Sequence, residues 1–449
     1  MKVMILGAGK RGLRLAQHLA EESNDVVIID TKEKLTRAAM DKIDCIAFPG
    51  SGTSLEDLSD AGTDSADAFV ALTGDDEVNL VACALASHEF QVPLTIASIR
   101  NISYTGSSGT NSNLLGITHI VNTDYEIASD IYDEIERGLF SDIISLHDSK
   151  LVVYNLVVGD NPEFCNLPVI DLRAKVNTDC LIVAIYRDGE SLIPSGDTMV
   201  LPGDTISLVM KPEDSQKAVK ITGRPRIKPQ KIVIVGATTA TKLLLGMFPP
   251  NERGKFAVID RDEAVCEEFA REFPEALIIN GDIADEDILE DEGLDSYDLL
   301  VSTTSNDELN IIIASYCKQI GFDYSIAVVR SNNNYTKLAR HMGIDSIVSS
   351  QEVTVDSITR YLHGTNVASV HSLFDAKIEV FEYMLGVKSK ALAKKLRQFN
   401  MKGRGLIAGV TKPSGVTLIP NGEYRLEAGD ILVLIVRQEK AVSVMRMFE

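Results

Sequence analysis

The chain repeats itself. KVMILG at residues 2–7 returns as KIVIVG at 231–236, and the DVVIID that ends at Asp30 returns as the FAVID that ends at Asp260. GSGTSLEDLSDAG (50–62) aligns with GDIADEDILEDEG (281–293), and ALTGDDEVN (71–79) with STTSNDELN (302–310). The correspondence continues past these segments. SLHDSKLVVYNLVVG (145–159) pairs with SLFDAKIEVFEYMLG (372–386), and LPGDTISLVM (201–210) with LEAGDILVLIV (426–436). A repeat near 230 residues long is a duplicated domain pair, far longer than the period of a solenoid. Any fold for this chain must therefore be built twice.

Each half opens with short apolar runs separated by helical stretches. In the first half these are VMILG, a helix over Leu13–Ala20, VVIID, CIAFPG, AFVALT, a helix over Val78–Ala86, and LTIASI. Continuous apolar strands joined by helical crossovers imply a parallel sheet covered on both faces. That is a doubly wound α/β unit. Residues 151–210 and 377–436 change character, with turn signals such as RDGES, LPGD and PNGEY, and read as a small α+β module. The expected fold class is α/β, with two Rossmann-like lobes each followed by a small α+β lobe. The expected boundaries are 1–123, 124–221, a basic proline-bearing linker at 222–230, 231–350 and 351–449.

Ile127, Ile131, Ile135, Leu139 and Ile143 recur at close to four-residue spacing, which predicts one bridging helix over about 124–146. The basic cluster KSKALAKKLRQFNMKGR (388–404) reads as an amphipathic helix with Leu392, Leu396 and Phe399 on one face. Its plainer reading is core packing beneath a solvated basic face. Contact with a channel or with anionic lipid is the functional alternative.

Charge narrows the partners. With 65 acidic against 44 basic residues the net charge is −21. So acidic a chain is repelled by nucleic acid, and no zinc-finger or basic-arm pattern offsets that. Cys45, Cys83, Cys165, Cys180, Cys266 and Cys317 form no CxxC pair and read as reduced core residues. No apolar run approaches the roughly 18 residues that span a bilayer, and the first residues read as strand and turn rather than a signal peptide. A soluble, cytoplasmic protein is expected.

The sharpest chemical signal is Gly7-Ala8-Gly9-Lys10-Arg11-Gly12. A GxGxxG pattern alone is weak, but this one follows a predicted strand and opens a predicted helix. Gly7 permits the tight turn, Gly9 admits a pyrophosphate to the backbone, and Gly12 lets the helix sit close to the strand. Free N–H groups and the helix dipole then favour phosphate. Asp30, 18 residues past Gly12, suits ribose hydroxyls and repels a 2′-phosphate, which favours NAD(H) or an adenine nucleotide over NADP. Thr73 and Gly74 close the fourth strand on the ligand edge. Asp75, Asp76 and Glu77 read as helix-start residues. The second copy, Gly236-Ala-Thr238-Thr-Ala-Thr241, keeps only the first glycine, so the second lobe is expected to be mainly architectural.

This plan, with GAGKRG, Asp30, GSGTSLEDLSDAGTDSADAFVALTGDDEVNLVACALA and IASIRN, resembles the TrkA family, the tandem RCK (KTN) regulatory subunits of Trk potassium-uptake systems. The likeness covers essentially the whole chain. It implies NAD(H) and ATP/ADP as ligands and a homo-oligomeric, tetrameric ring. It also implies peripheral attachment to the inner face of the cell membrane through a membrane-embedded Trk channel subunit (TrkH/TrkG-like). The matching positions are Gly7, Ala8, Gly9, Lys10 and Arg11 in the phosphate loop, Asp30 at the ribose, and Thr73 and Gly74 after strand four. Arg100 matches one of two family arginines, and Ser98 stands where the other would be. The candidate set also includes Gly12, Thr31, Lys32, Gly50 and Ser51.

An NAD-dependent oxidoreductase is the main alternative. It needs an acid or base beside the nicotinamide, and the seven histidines (18, 88, 119, 147, 341, 363, 371) fall in no recognisable catalytic pattern. A ligand-sensing DNA-binding repressor would need a helix-turn-helix or basic appendage, and none is legible.

Overall fold

The computed structural model describes residues 1–105, 114–137, 142–146, 148–161, 163–214, 217, 221, 229–283, 285, 288, 291–330, 333–363, 367–374, 377–399, 401 and 403–448. The first lobe runs β1 (Lys2–Leu6), α1 (Lys10–Glu21), β2 (Asp25–Asp30), α2 (Glu33–Met40), β3 (Ile46–Pro49), α3 (Leu55–Asp60), β4 (Ala68–Ala71), α4 (Asp76–His88), β5 (Leu94–Ser98), α5 (Ile102–Thr105) and β6 (His119–Val121). Its strands are all parallel, in the order β3-β2-β1-β4-β5-β6. Both faces are covered, so the strands need no polar alternation. Met4, Ile5, Ile28, Ile29, Phe69 and Val70 are all fully buried.

After α6 (Thr123–Arg137), the first small lobe contains β7 (Asp142–Ser145), β8 (Val152–Val157), β9 (Leu167–Pro168), α7 (Val169–Val176), β10 (Cys180–Arg187), β11 (Glu190–Leu192), β12 (Met199–Val200) and β13 (Thr205–Met210). Its main sheet is antiparallel, ordered β11-β10-β13-β8-β7.

The second half rebuilds the plan. β14 (Ile232–Val235), α8 (Thr239–Met247), β15 (Phe256–Asp260), α9 (Glu263–Glu272), β16 (Leu277–Asn280), β17 (Leu299–Ser302), α10 (Asp307–Gln319), β18 (Tyr324–Val329), α11 (Asn333–His341) and β19 (Ser346–Ser349) form a parallel sheet ordered β16-β15-β14-β17-β18-β19. Then follow α12 (Ser350–Leu362), β20 (Val367–Leu373), β21 (Ile378–Met384), β22 (Gly405–Thr411), β23 (Thr417–Leu418), β24 (Ile431–Arg437) and α13 (Ala441–Met445). The antiparallel order here is β20-β21-β24-β22-β23.

The two halves exchange their bridging helices. α6 belongs to the first half, yet Ile127, Ala128, Ile131 and Ile135 pack into the second lobe against Ile232, Ile234, Leu244 and Phe248. α12 belongs to the second half, yet Val355, Ile358 and Leu362 pack into the first lobe against Val3, Ile5, Leu15 and Leu19. Polar contacts pin the exchange. Arg14 meets Glu352 through two parallel bonds, Nε–Oε1 at 3.0 Å and Nη2–Oε2 at 3.2 Å, and the Thr123 and Thr354 hydroxyls stand 3.0 Å apart. The small lobes also share a core, in which Leu151, Val153 and Val209 meet Ile378, Val380 and Ile435. Neither half is therefore a closed unit.

Two expected helices differ from what forms. The bridging helix ends at Arg137, and Ile143 lies on a strand; Leu139 is outside the described residues. Asp142–Ser145 pairs antiparallel with Val152–Asn155, and that ladder outweighs a spacing that continues the helical period. Most of the linker, 222–228, is also outside the described residues.

The stretch 388–404 forms turns and one 3₁₀ turn at Leu396–Gln398, with no α-helix among its described residues. Its backbone is bonded elsewhere: Ala393 N–H to Leu426 O, Leu396 N–H to Tyr424 O and Arg397 N–H to Gly422 O. Ala393 takes the left-handed conformation at φ 61°, which no helix accommodates. Leu392, Leu396 and Phe399 still reach the core of the second small lobe, and Lys395 and Arg397 pair with Glu423.

Candidate functional site

The candidate residues of the first lobe come together along the carboxyl edge of the parallel sheet. Gly7 to Gly9 follow β1, Asp30 ends β2, Gly50 and Ser51 follow β3, Thr73 and Gly74 follow β4, and Ser98 ends β5. β1 sits between β2 and β4, so the chain leaves it in opposite directions and opens a crevice at this edge.

The glycines divide by what surrounds them. Gly7 has φ +108°, and a side chain there would press on the Leu72 and Thr73 backbone. A Cβ on Gly12 would fall 1.9 Å from Gly7 O, so this glycine is required by helix-to-strand contact. Gly9 is different. It has an ordinary φ of −74°, and a Cβ there meets nothing within 4 Å. The space beside Gly9 is room that the fold itself does not use.

α1 presents its N-terminus to that space. Its N-cap residue, Gly9, offers no side-chain cap, and its first turn carries Lys10 and Arg11 with no acidic residue. The first-turn N–H groups and the positive end of the dipole are therefore open to an anion, an interaction worth about 0.3–1 kcal/mol at an exposed site.

Asp30 ties the loop down. Its Oδ2 accepts from Ala8 N–H at 2.8 Å and its Oδ1 from Lys32 N–H at 2.8 Å. Each oxygen keeps a further lone pair for a ribose hydroxyl. Thr31 and Lys32 are exposed beside it. Ser51 N–H is held by Asp57 Oδ2 at 2.6 Å, and Thr73 by Asn79 Oδ1 through both its N–H (3.0 Å) and hydroxyl (2.7 Å). Asp75 caps α4 through Val78 N–H, and Asp76 accepts from the Arg100 and Asn101 N–H groups. These two acids thus serve helix and loop structure.

Arg11 turns toward the end of β5. Arg11 Nη1 reaches the Ser98 hydroxyl at 3.4 Å and the Thr123 hydroxyl at 2.9 Å. Arg100 donates to Gly74 O. A third arginine, not anticipated at this site, comes from the other half: Arg330, the repeat partner of Arg100, pairs with Asp124 Oδ1 at 3.0 Å. Burial, then Arg100 and, more weakly, Arg330, holds the Arg11 guanidinium below its ordinary value, against the pull of Asp124 and Asp76. Three guanidinium groups drawn from both lobes thus gather near one loop. Their sequence signal was the repeat itself, because Arg330 aligns with Arg100.

The second lobe shows what becomes of the device without its glycines. Gly236 keeps its turn at φ +107°, and Asp260 holds Ala237 N–H at 2.8 Å as Asp30 holds Ala8. Thr241 replaces Gly12. A Cβ cannot stand where Gly12 stands, so helix and loop are set apart and the Thr241 hydroxyl fills the gap, 2.6 Å from Gly236 O and 2.9 Å from Thr303 Oγ1. Thr238 replaces Gly9, and its hydroxyl accepts from Thr241 N–H at 3.4 Å, capping α8. The first lobe leaves its helix end open and the second closes its own. A cleft of about 930 Å³ lies elsewhere, between α6, α12 and the small lobes, and contains none of the glycine-loop residues. The open helix N-terminus belongs to the loop and not to that cleft.

The TrkA-N domain family matches residues 3–123 and again 232–350, and the TrkA-C domain family matches 153–223. The chain belongs to the TrkA family. Among its TrkA relatives, the Trk system potassium uptake protein TrkA homolog 1 of Methanosarcina mazei is 28% identical over the full length of both chains. The Trk system potassium uptake protein TrkA of Haemophilus influenzae is 26% identical, covering 98% of this chain and 97% of that one. In fold, the GsuK channel bound to NAD matches 99% of this chain and 78% of its own, with a TM-score of 0.59 at 18% identity. The GsuK RCK domain matches 99% and 94%, with a TM-score of 0.57 at 18% identity. Tandem TrkA-N lobes with small antiparallel lobes are the RCK arrangement. As a TrkA-family chain, the protein is a regulatory component of potassium transport. Among the described residues no helix is long and apolar enough to cross a membrane.

Proposed function

We propose that the first lobe binds NAD(H) and the adenine nucleotides ATP and ADP, and that binding regulates potassium flux through a membrane-embedded Trk channel subunit of the TrkH/TrkG kind. The observation that carries this reading is the uncapped α1 N-terminus at Gly9, whose first turn carries Arg11, with Arg100 and Arg330 close enough to act on the Arg11 charge. The phosphates sit at Gly7 to Gly12, with Asp30 on the ribose. Arg11, Arg100 and Arg330 meet the remaining phosphate charge. The GsuK relative in fold was solved with NAD bound, which supports the ligand class.

The arrangement suggests how a ligand acts without chemistry. Arg330 belongs to the second lobe and is held by Asp124, at the start of α6. A phosphate that draws on Arg330 competes with that pair and changes the balance between lobe positions. A ligand shifts an equilibrium only by its different affinities for two states. ATP and ADP differ in phosphate charge at this point, whereas NAD and NADH differ in charge at the nicotinamide ring. The chain acts as a homo-oligomeric, tetrameric ring on the inner face of the membrane, its four pairs of Rossmann lobes presenting eight similar units. Contacts of this heterologous kind close into rings or run on as filaments.

Two measurements test the proposal. Light scattering at micromolar concentration with nucleotide present is expected to give a closed oligomer, and a monomeric mass overturns the ring. Potassium flux through the co-reconstituted channel subunit is expected to differ between ATP and ADP, or between NAD and NADH. Identical flux with every nucleotide, together with binding, removes regulation from the reading. Turnover of NADH with a panel of keto acids is expected to stay at background; turnover above it would restore the oxidoreductase.

A further inference from the structure

The far end of α1 holds a second polar cluster. His18 is on α1 and Glu22, the C-cap residue of that helix, follows four positions later on the same side of its end. Against them packs Glu379 of β21, from the second small lobe. All three side chains are buried, His18 and Glu379 completely. One ligand-capable atom from each lies within 4.8 Å of the others. His18 Nε2 and Glu379 Oε1 are 3.1 Å apart, yet neither makes a hydrogen bond, and the second oxygen of Glu379 has no hydrogen-bond partner either.

This is a costly arrangement for a fold to keep. A fully buried carboxyl group that accepts no hydrogen bond at either oxygen gives up hydration that a single imidazole nitrogen 3.1 Å away replaces only in part. The duplicated architecture does not demand it. In the repeat alignment, Met247 stands at the position of His18 and Val152 at that of Glu379. The polar groups were placed on one side of the pseudo-symmetric molecule only.

We propose that His18, Glu22 and Glu379 bind a divalent transition-metal ion, of the zinc or manganese class, that clamps the first Rossmann lobe to the second small lobe. One imidazole nitrogen and two carboxylates suit ions of this class, and the nitrogen disfavours calcium. Two ligands each about 2.0–2.1 Å from a tetrahedral zinc stand about 3.3 Å apart, close to the observed separation of Nε2 and Oε1. Two carboxylate charges balance one divalent ion.

Neighbouring groups already orient the ligands. His363 Nε2 stands 3.1 Å from Glu22 Oε1, and Asn24 Nδ2 donates to Glu22 Oε2 at 3.3 Å. The Gln438 amide lies 3.0 Å from His18 Nδ1. When Nε2 binds metal, the ring proton sits on Nδ1, and a half-turn of the Gln438 amide presents its oxygen to that proton. The ligands come from separate lobes and are closed from solvent, so the ion enters when the lobes part and holds them once they close. This site lies at the opposite end of α1 from the glycine loop.

The test uses the full chain, stripped with chelator and dialysed. Equilibrium dialysis against Zn²⁺ and Mn²⁺ is expected to show one tight equivalent per chain, accompanied by a rise in melting temperature. Glu379→Gln keeps the shape and removes the buried acid. It is expected to melt in chelator at or above the wild-type temperature, to lose at least ten-fold in metal affinity, and to lose the metal-induced rise. Glu22→Gln carries the same comparison if Glu379→Gln does not fold. Absence of a tight equivalent in the wild-type chain overturns the proposal, as does an equivalent that a folded variant at either glutamate retains at full affinity.

Discussion

Gly9→Asp is expected to weaken NADH and ATP binding by at least a hundred-fold while leaving the fold intact. The fold is expected to survive because Gly9 has an ordinary φ and a Cβ there meets nothing within 4 Å. The carboxylate enters the space in which pyrophosphate would lie, beside the N-terminus of α1. It can cap that helix itself, as aspartate commonly does, and so takes the N–H groups from the ligand while repelling its charge. A hundred-fold is about 2.7 kcal/mol, within reach of one displaced charged contact plus like-charge repulsion.

Thr238→Asp is the matched control. Thr238 already caps α8, so aspartate there exchanges one cap for another. Nucleotide affinity is expected to change less than about three-fold, a few tenths of a kcal/mol, near the small cost of exchanging one good cap for another. Calorimetric titration of both ligands into both variants decides the matter. Strong residual binding to the Gly9 variant, or loss in the Thr238 variant alone, reverses the assignment of the two lobes. A Gly12 substitution would not separate these readings, because a Cβ 1.9 Å from Gly7 O damages the fold first.

What could be read before the structure was whatever depends on local pattern. The duplication, the parallel sheets and the glycine loop all rest on runs of neighbouring residues, and each has its counterpart in the fold. The bridging helix shows the limit. Its stripe of Ile127, Ile131 and Ile135 states that a face is buried but not what buries it, and the partner is the other half's sheet. Ile143 continued the spacing but belongs to a strand, because its pairing is decided by Tyr154, eleven positions away. Leu392, Leu396 and Phe399 are near the core without being helical, since Ala393 and the backbone bonds to 422–426 set that path. Arg330 was legible only as a remnant of the second site. Its approach to Arg11 requires the two lobes to face each other, which no local pattern encodes. The same holds for His18 and Glu379, which meet only because α12 and the second small lobe fold back onto the first half.

Exchange of the bridging helices has a consequence that a local reading would place in the wrong lobe. Ile131 is on α6, directly after the first lobe in sequence, and is fully buried among second-lobe residues. Ile131→Ala is expected to cost about 2–5 kcal/mol, the usual range for emptying a buried isoleucine site. The loss should appear in the other half. Hydrogen exchange is expected to quicken most in β14, α8 and β15, whose Ile232, Leu244 and Phe256 share that core. Ile358→Ala on α12 is the mirror experiment, and its largest effect is expected in β1 and α1, around Ile5 and Leu15. It should also weaken nucleotide binding, because α1 carries the phosphate loop, whereas Ile131→Ala should do so less. Greatest loss of protection in the lobe that precedes the mutated helix would refute the exchange. If the crossed pattern holds, each Rossmann lobe is stabilised by the half that does not contain it. A ligand that tightens the first lobe then acts directly on α12 and, through it, on the second small lobe.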